Sequence, residues 1–206
     1  MFQGSVIAYI AAAVAAYLLG SLSGAILSSR VGHHEDIRNY GSGNAGMTNA
    51  LRTYGLRHAA IVAGIDMLKT VLAILLAKWL VGWHWGFLLG SLFAITGHLF
   101  PLYYGFKGGK GVLCGLASLL MVDWRIGLLV VVVFAIVVSF CKRVSLGSIC
   151  ACASAPLWCV LLGVDPVHTV YVLLAAGWLI WCHRSNIKRL LRGEEPKTVI
   201  AKRRRP

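Results

Sequence analysis

The chain has 206 residues, is 58% hydrophobic and only 13% charged, and carries a formal net charge of +13. Its mean hydropathy is +0.76. Soluble domains are about half apolar and about a quarter charged, so this balance excludes an ordinary soluble domain and indicates an integral membrane protein. Nucleic acid is also excluded as a partner: the cations sit in loops between apolar runs and in a tail, where they oppose lipid head groups or anionic substrates.

The apolar run from Val6 to Leu27 is long enough to cross a bilayer, which takes about 20 residues. The preceding Met1-Phe2-Gln3-Gly4-Ser5 has no cationic side chain, so the run is read as a retained first helix and not a cleaved leader. Seven apolar spans follow from hydropathy, at 5–28, 57–81, 84–103, 112–122, 125–141, 145–163 and 166–182. The fold class is therefore all-α and polytopic, a single membrane-embedded domain over 1–206 with a basic tail at 183–206. The fourth span is too short to cross ~30 Å as a helix and must half-span or borrow length from the loop before it.

Charge sets the expected orientation. Arg30, Arg38, Arg52, Arg57, Lys107, Lys110, Lys142, Arg143 and the C-terminal cations, Lys202 to Arg205 among them, all fall on one side. The positive-inside bias then puts the N-terminus outside and the C-terminus in the cytoplasm. Trp79, Trp83, Trp85 and Trp124 fall at outer ends, and Trp178 and Trp181 near an inner end, as an aromatic belt requires. Gly20 and Gly24 in the first span make a small-xxx-small pair suited to close helix packing.

Three polar segments lie on the expected inner side. The first is Tyr40 to Arg52. Its glycines match G-x-G-x-x-G, but a membrane helix precedes them where a dinucleotide fold needs a strand, so that reading is discarded. What remains is a glycine-rich loop with donors at Ser42, Asn44, Thr48 and Asn49, and a guanidinium at Arg52 able to hold phosphate bidentately. The second segment runs from Gly97 to Val112. Pro101 interrupts the helix, and Gly108, Gly109 and Gly111 with Lys107 and Lys110 suggest a phosphate-binding cup, to which a helix starting near Gly111 adds its dipole. It is not a Walker A loop, since Tyr104 and Gly111 stand where Gly and Ser or Thr are needed. The third segment is His183 to Glu195, where His183 and Asn186 are spaced to share a helix face.

Asp66 and Lys69 are three apart inside the second span and are expected to brace the loops as a mutually satisfied pair, with His98 also in a supporting place. The six cysteines, Cys114, Cys141, Cys150, Cys152, Cys159 and Cys182, lie in or at the ends of apolar segments without ligand spacing, so neither disulfide nor metal site is expected. His84 and His168 are read as interfacial spectators. No Ser–His–Asp set, no HEXXH and no carboxylate pair occurs.

At the segments GSGNAGMTNALR, GHLFPLYYGFKGGKGV and HRSNIKRLLRGEE the chain resembles the bacterial acyl-phosphate:glycerol-3-phosphate acyltransferases of the PlsY type, over nearly its whole length. The resemblance implies transfer of a fatty acyl group from acyl phosphate to the 1-position of glycerol 3-phosphate. The products are lysophosphatidate and inorganic phosphate, with no cofactor and no direct use of acyl-CoA. It implies that Ser42, Arg52, Lys110, His183 and Asn186 are catalytic. Asn44, Thr48, Asn49, Lys107, Gly108, Gly109 and Gly111 are implied to bind substrate. The H-x-x-x-x-D signature of the soluble-type glycerolipid acyltransferases is missing. Ala45 and Met47 stand where the family commonly has Pro and Ala, and Leu113-Cys114 where it commonly has Ala-Thr. The expected partners are the two substrates and membrane lipids, in the bacterial inner membrane with the site on the cytoplasmic side; a functional contact with the enzyme that makes the acyl phosphate is left open. The proton acceptor is either the substrate phosphate or His183. The runner-up function is a transporter of phosphate esters, which shares basic pockets and broken helices.

Overall fold

The computed structural model describes residues 5–197. The basic run Lys202 to Arg205 and residues 1–4 lie outside it. Ten α-helices and two short 3-10 turns occur among the described residues, without a β-strand. They are α1 (Val6–Gly20), α2 (Gly24–His33), α3 (Met47–Tyr54), α4 (Leu56–Val81), α5 (Trp83–Leu99), α6 (Val112–Val122), α7 (Trp124–Cys141), α8 (Val144–Leu161), α9 (Pro166–Cys182) and α10 (Arg184–Leu191).

Among the described residues five segments are long and apolar enough to cross a membrane: Val6–His33, Leu56–Val81, Trp83–Tyr104, Trp124–Cys141 and Val144–Leu161. A sixth is available if α9 and α10, bent by 59°, count together. The expected fourth span is α6, which has 11 residues and is as short as anticipated.

The helices cluster in two compact units, one running through Cys114 and the other from Gly115. In the first, α1, α4 and α5 pack closely. A Cβ on Gly20 would lie 2.3 Å from the Ala94 carbonyl oxygen, and one on Gly97 would lie 2.3 Å from that of Tyr17. Only glycine lets the backbones of α1 and α5 approach this far, so Gly20 serves the packing expected of it. Gly24 sits similarly against α4, with a Cβ there 2.9 Å from the Val62 carbonyl oxygen.

The first span is not one helix, and here the structure corrects the sequence reading. It breaks at Ser21-Leu22-Ser23, between α1 and α2. Ser23 caps α2 by accepting from Ile26 N–H, and Ser21 Oγ accepts from Leu102 N–H. A break exposes backbone polar groups that hydrocarbon cannot satisfy. Here Lys69 Nζ donates to the Leu22 carbonyl, and Asp66 Oδ1 accepts from Gly24 N–H at 3.2 Å. The partners that permit the break lie on α4, remote in sequence, which is why no local signal marks it.

In the second unit α7, α8 and α9 share a core of Ile126, Val130, Ala151, Ala155, Cys159 and Val172. Asp123 and Asp165 cap α7 and α9, accepting from Arg125 N–H at 2.8 Å and Val167 N–H at 2.9 Å. Tryptophans 79, 83, 85, 124 and 181 are exposed at or near helix ends. Arg184 stacks on Trp181, its guanidinium carbon 4.1 Å from the ring centre.

Candidate active site

The first unit holds the first two polar segments and brings them together. The loop after α2 folds onto a core of Ala25, Ile26, Ile37, Ala45, Ala50 and Val62. Its glycines Gly41 and Gly43 take φ of +60° and +71°, the left-handed region that a Cβ disfavours. Asn49 is buried and directs its carboxamide into this turn. It accepts from Ser42 N–H at 3.0 Å and donates to the carbonyls of Ile37 and Tyr40 at 3.2 and 2.9 Å. Asn49 therefore shapes the loop that presents Ser42, which is exposed; Asn44 and Thr48 are half-buried beside it. Helix α3 then carries Arg52 back over the loop. Arg52 is half-buried, and its Nε is fully buried with no hydrogen-bond partner on the protein. A buried donor left open in this way is costly unless a ligand takes it.

A residue that sequence reasoning counted only as an inner cation, Arg38, joins the two segments. Its Nε and one terminal nitrogen chelate Asp36 at 3.0 and 2.8 Å. The other terminal nitrogen donates to the carbonyls of Tyr104 at 2.7 Å and Lys107 at 3.1 Å. The Arg38 hydrogen bonds hold the Asp36 carboxyl down at about 2, against the cost of partial burial. Arg30 adds an ion pair to Asp36 at 3.2 Å and lies over the Tyr104 ring.

The glycine stretch is built differently from the expected cup. Gly108 N–H donates to the Leu99 carbonyl at 3.2 Å and Gly109 N–H to the His98 carbonyl at 3.1 Å. Those two donors are spent on the protein, so they do not line an anion pocket. Their glycine character answers to crowding instead. A Cβ on Gly108 would fall 2.0 Å from the His98 oxygen, and one on Gly109 would fall 2.2 Å from His98 Nε2 and 2.6 Å from the Ala45 oxygen. What the stretch offers an anion is Lys110, half-buried, followed by Gly111 at φ +78° and the start of α6 at Val112. Lys107 is exposed.

Beneath this lies a buried ionic cluster. Lys69 Nζ is 2.9 Å from Asp66 Oδ1 and 3.0 Å from His98 Nδ1, and Cys114 Sγ approaches the Asp66 carbonyl at 3.7 Å. Asp66, Lys69 and His98 are all nearly solvent-free. They tie the break in the first span to α4 and to the end of α5.

The second unit holds the third segment. His183 sits at the bend between α9 and α10, and its Nδ1 hydrogen-bonds the Leu179 carbonyl at 2.7 Å. In the neutral ring that bond puts the proton on Nδ1 and leaves Nε2 as the acceptor. Asn186 is one turn on and donates to Glu195 Oε1 at 2.8 Å. Glu195 also accepts from Ser145 Oγ at 2.7 Å and Arg189 Nε at 2.7 Å, while Arg143 donates to its backbone carbonyl at 3.2 Å. Burial opposes ionisation of Glu195, but these donors outweigh it and hold the carboxyl below its ordinary range. Glu195 thus folds the chain after α10 back over Asn186. The sequence offers no spacing from which its partnership with Ser145 could be read.

A sequence model of the family described as glycerol-3-phosphate acyltransferase matches residues 10–193. Among curated relatives, the glycerol-3-phosphate acyltransferase of Thermoanaerobacter sp. strain X514 is 38% identical over 185 residues, covering 90% of this chain and 93% of that one. That of Thioalkalivibrio sulfidiphilus is 42% identical over 183 residues, covering 88% and 90%. Among solved structures, crystal structures of PlsY, an integral membrane glycerol 3-phosphate acyltransferase, superpose on 92% of this chain and 94% of theirs. The glycerol 3-phosphate form gives a TM-score of 0.86 at 33% identity, and the lysophosphatidic acid form 0.82 at 30%.

Proposed function

This chain belongs to the glycerol-3-phosphate acyltransferase family and is an integral membrane acyltransferase; from that premise we propose that its donor is an acyl phosphate and its acceptor the 1-hydroxyl of sn-glycerol 3-phosphate. The products are then 1-acyl lysophosphatidate and inorganic phosphate, at the first step of phospholipid synthesis. The observation on this chain that supports a phosphate-bearing substrate is Arg52, whose buried Nε has no partner on the protein. A dianionic phosphate satisfies it and accepts the planar fork of the guanidinium.

The hydroxyl oxygen attacks the carbonyl carbon, the bond from that carbon to the bridging phosphate oxygen breaks, and phosphate leaves with the electron pair. Acyl phosphate is a mixed anhydride with a good leaving group, so positioning and charge neutralisation supply most of the acceleration. Arg52 and Ser42 hold glycerol 3-phosphate, with Asn44 and Thr48 beside them and Asn49 shaping their loop. Lys110, at the start of α6, neutralises phosphate charge, with Lys107 at its mouth. Gly108, Gly109 and Gly111 let the loop close over His98. His183 and Asn186 act on the acceptor in the same reaction.

We assign the hydroxyl proton to the substrate phosphate. The Nδ1 of His183 meets the Leu179 carbonyl, which supports an imidazolium less strongly than a carboxylate would. His183 Nε2 instead accepts a hydrogen bond from the acceptor and orients it. The acyl chain enters from the bilayer between helices. The reading includes seven membrane helices with α6 half-spanning, the N-terminus outside, and the site on the cytoplasmic side of the bacterial inner membrane, where charge bias places the cations. The alternative of a phosphate-ester transporter loses its ground with the family assignment.

The test is turnover in detergent, with no sealed vesicle. Purified protein given palmitoyl phosphate and glycerol 3-phosphate should release inorganic phosphate and lysophosphatidate in equal amounts, and palmitoyl-CoA should not substitute. Comparable rates with the CoA ester would reject the donor assignment.

A further inference from the structure

Outside the catalytic residues, the polar end of the first unit carries a second cluster that the reaction does not use. His33, the last residue of α2, and His58, in the first turn of α4, bring their Nε2 atoms to 3.1 Å. They are 25 residues apart, so no sequence pattern pairs them. The ring centres are 4.5 Å apart, so the two Nε2 atoms are the near edges of the pair. The rings stand at 41° to each other. Tyr54, at the end of α3, stacks on His33 with ring centres 4.0 Å apart and an interplanar angle of 10°, which fixes the His33 plane. The Tyr54 hydroxyl is in turn held by Glu35 at 3.2 Å. His33 is exposed, so solvent reaches the paired nitrogens.

We propose that His33 and His58 form a chelating site for a late first-row transition-metal dication such as Ni²⁺, Cu²⁺ or Zn²⁺. The geometry supports it directly. With metal–nitrogen bonds of about 2.1 Å, nitrogens 3.1 Å apart subtend roughly 95° at the ion, the angle between adjacent ligands in square-planar and octahedral coordination. Neutral imidazoles are the preferred ligands of these ions, and hard cations such as Mg²⁺ prefer oxygen. Water completes the shell on the exposed side. The ion bridges the end of α2 to the start of α4 through His33, whose ring stacks on Tyr54 in the same short helix as Arg52. Occupancy therefore pins the corner from which the catalytic loop hangs, without entering the site. This inference stands whether or not the acyl-phosphate reading holds.

The experiment uses the full chain purified through a removable affinity tag, stripped with chelator and returned to metal-free detergent. Bound Ni²⁺ is counted after equilibrium dialysis, and Cu²⁺ is examined by electron paramagnetic resonance. The wild type should bind one ion more per chain than either His33→Asn or His58→Asn, with affinity for that ion reduced at least about tenfold in each variant. The hyperfine pattern of that Cu²⁺ should report two imidazole nitrogens. Ni²⁺ should raise the thermal midpoint of the wild type and of His34→Asn but not of the two variants, because a ligand bound only to the folded state stabilises it. Acyltransferase activity without metal confirms that the variants are folded. Equal stoichiometry in wild type and variants, or a single-nitrogen spectrum, overturns the proposal. The spectrum of the wild type decides the matter alone if a variant fails to fold.

Discussion

Replacing Arg38 by lysine keeps the charge and removes the fork. The guanidinium makes four contacts: two to Asp36 at 3.0 and 2.8 Å, and one each to the Tyr104 and Lys107 carbonyls at 2.7 and 3.1 Å. A single ammonium can serve the carboxylate or the carbonyls, and the Lys107 loop is then released from the Ser42 loop. Hydrogen bonds to a charged partner contribute about 1.5–3 kcal/mol, and partial exposure here brings the stability cost to the lower end. The catalytic cost should be larger, because a displacement of about 1 Å at a reacting group costs on the order of 10²-fold in rate. Arg38→Lys should therefore lower kcat/KM for both substrates by about 30- to 100-fold while the thermal midpoint in detergent falls only a few degrees. Asp36 gives the pH arm of the same test. Its carboxyl lies at about 2 in the folded chain against an ordinary 3.8. A depressed carboxylate contributes stability that is complete above the unfolded value and is lost as pH falls through the folded one, a contribution of about 1–2 kcal/mol after allowance for exposure. In Arg38→Ala acid inactivation should begin nearer pH 4 than in the wild type. If Arg38→Lys retains kcat/KM within twofold, the clamp does not position the glycine loop and the reasoning fails.

Three further outcomes are expected. Asp66→Asn or Lys69→Met alone should destabilise the chain by about 3–5 kcal/mol, since each leaves a buried charge uncompensated; the double variant should recover part of this, and detergent melting curves that show strict additivity would contradict the pairing. Gly109→Ala, whose Cβ would lie 2.2 Å from His98 Nε2, should abolish activity, whereas Gly105→Ala, strained at φ +67° but with open space around it, should cost only about 1–2 kcal/mol of stability. His183→Gln should weaken apparent glycerol 3-phosphate affinity as well as turnover; a loss of about 10²–10⁴ in kcat with unchanged KM would instead identify His183 as the base.

What the sequence made legible was whatever rests on neighbouring residues. The span expected at 166–182 is α9, Pro166–Cys182, and that at 57–81 is α4, Leu56–Val81, because hydropathy is a local sum. The Asp66–Lys69 pair was visible for the same reason, being three apart on one helix. The polar segments were also visible, through their glycines and cations. The parts that stayed hidden depend on partners far along the chain. Arg38 meets Tyr104 across 66 positions and Glu195 meets Ser145 across 50. Glycine was the least informative residue type by itself. The same composition serves a positive φ at Gly43, a backbone crossing at Gly20 and a carbonyl-bonded turn at Gly109, and only the neighbours tell these apart.

The interruption between α1 and α2 has a consequence for biogenesis. When the first segment emerges from the ribosome, Asp66 and Lys69 have not yet been made. An unwound stretch in lipid would then leave the Leu22 carbonyl and the Gly24 N–H without partners, at several kcal/mol each. The nascent segment is therefore expected to enter the bilayer as one uninterrupted helix and to unwind at Ser21–Ser23 once α4 arrives alongside. The loop that carries Ser42 and Arg52 hangs from α2, so it takes its final direction at that moment. A released, membrane-inserted chain truncated before Leu56 should protect a Leu22→Cys thiol from reagents that a chain extended through Val81 admits.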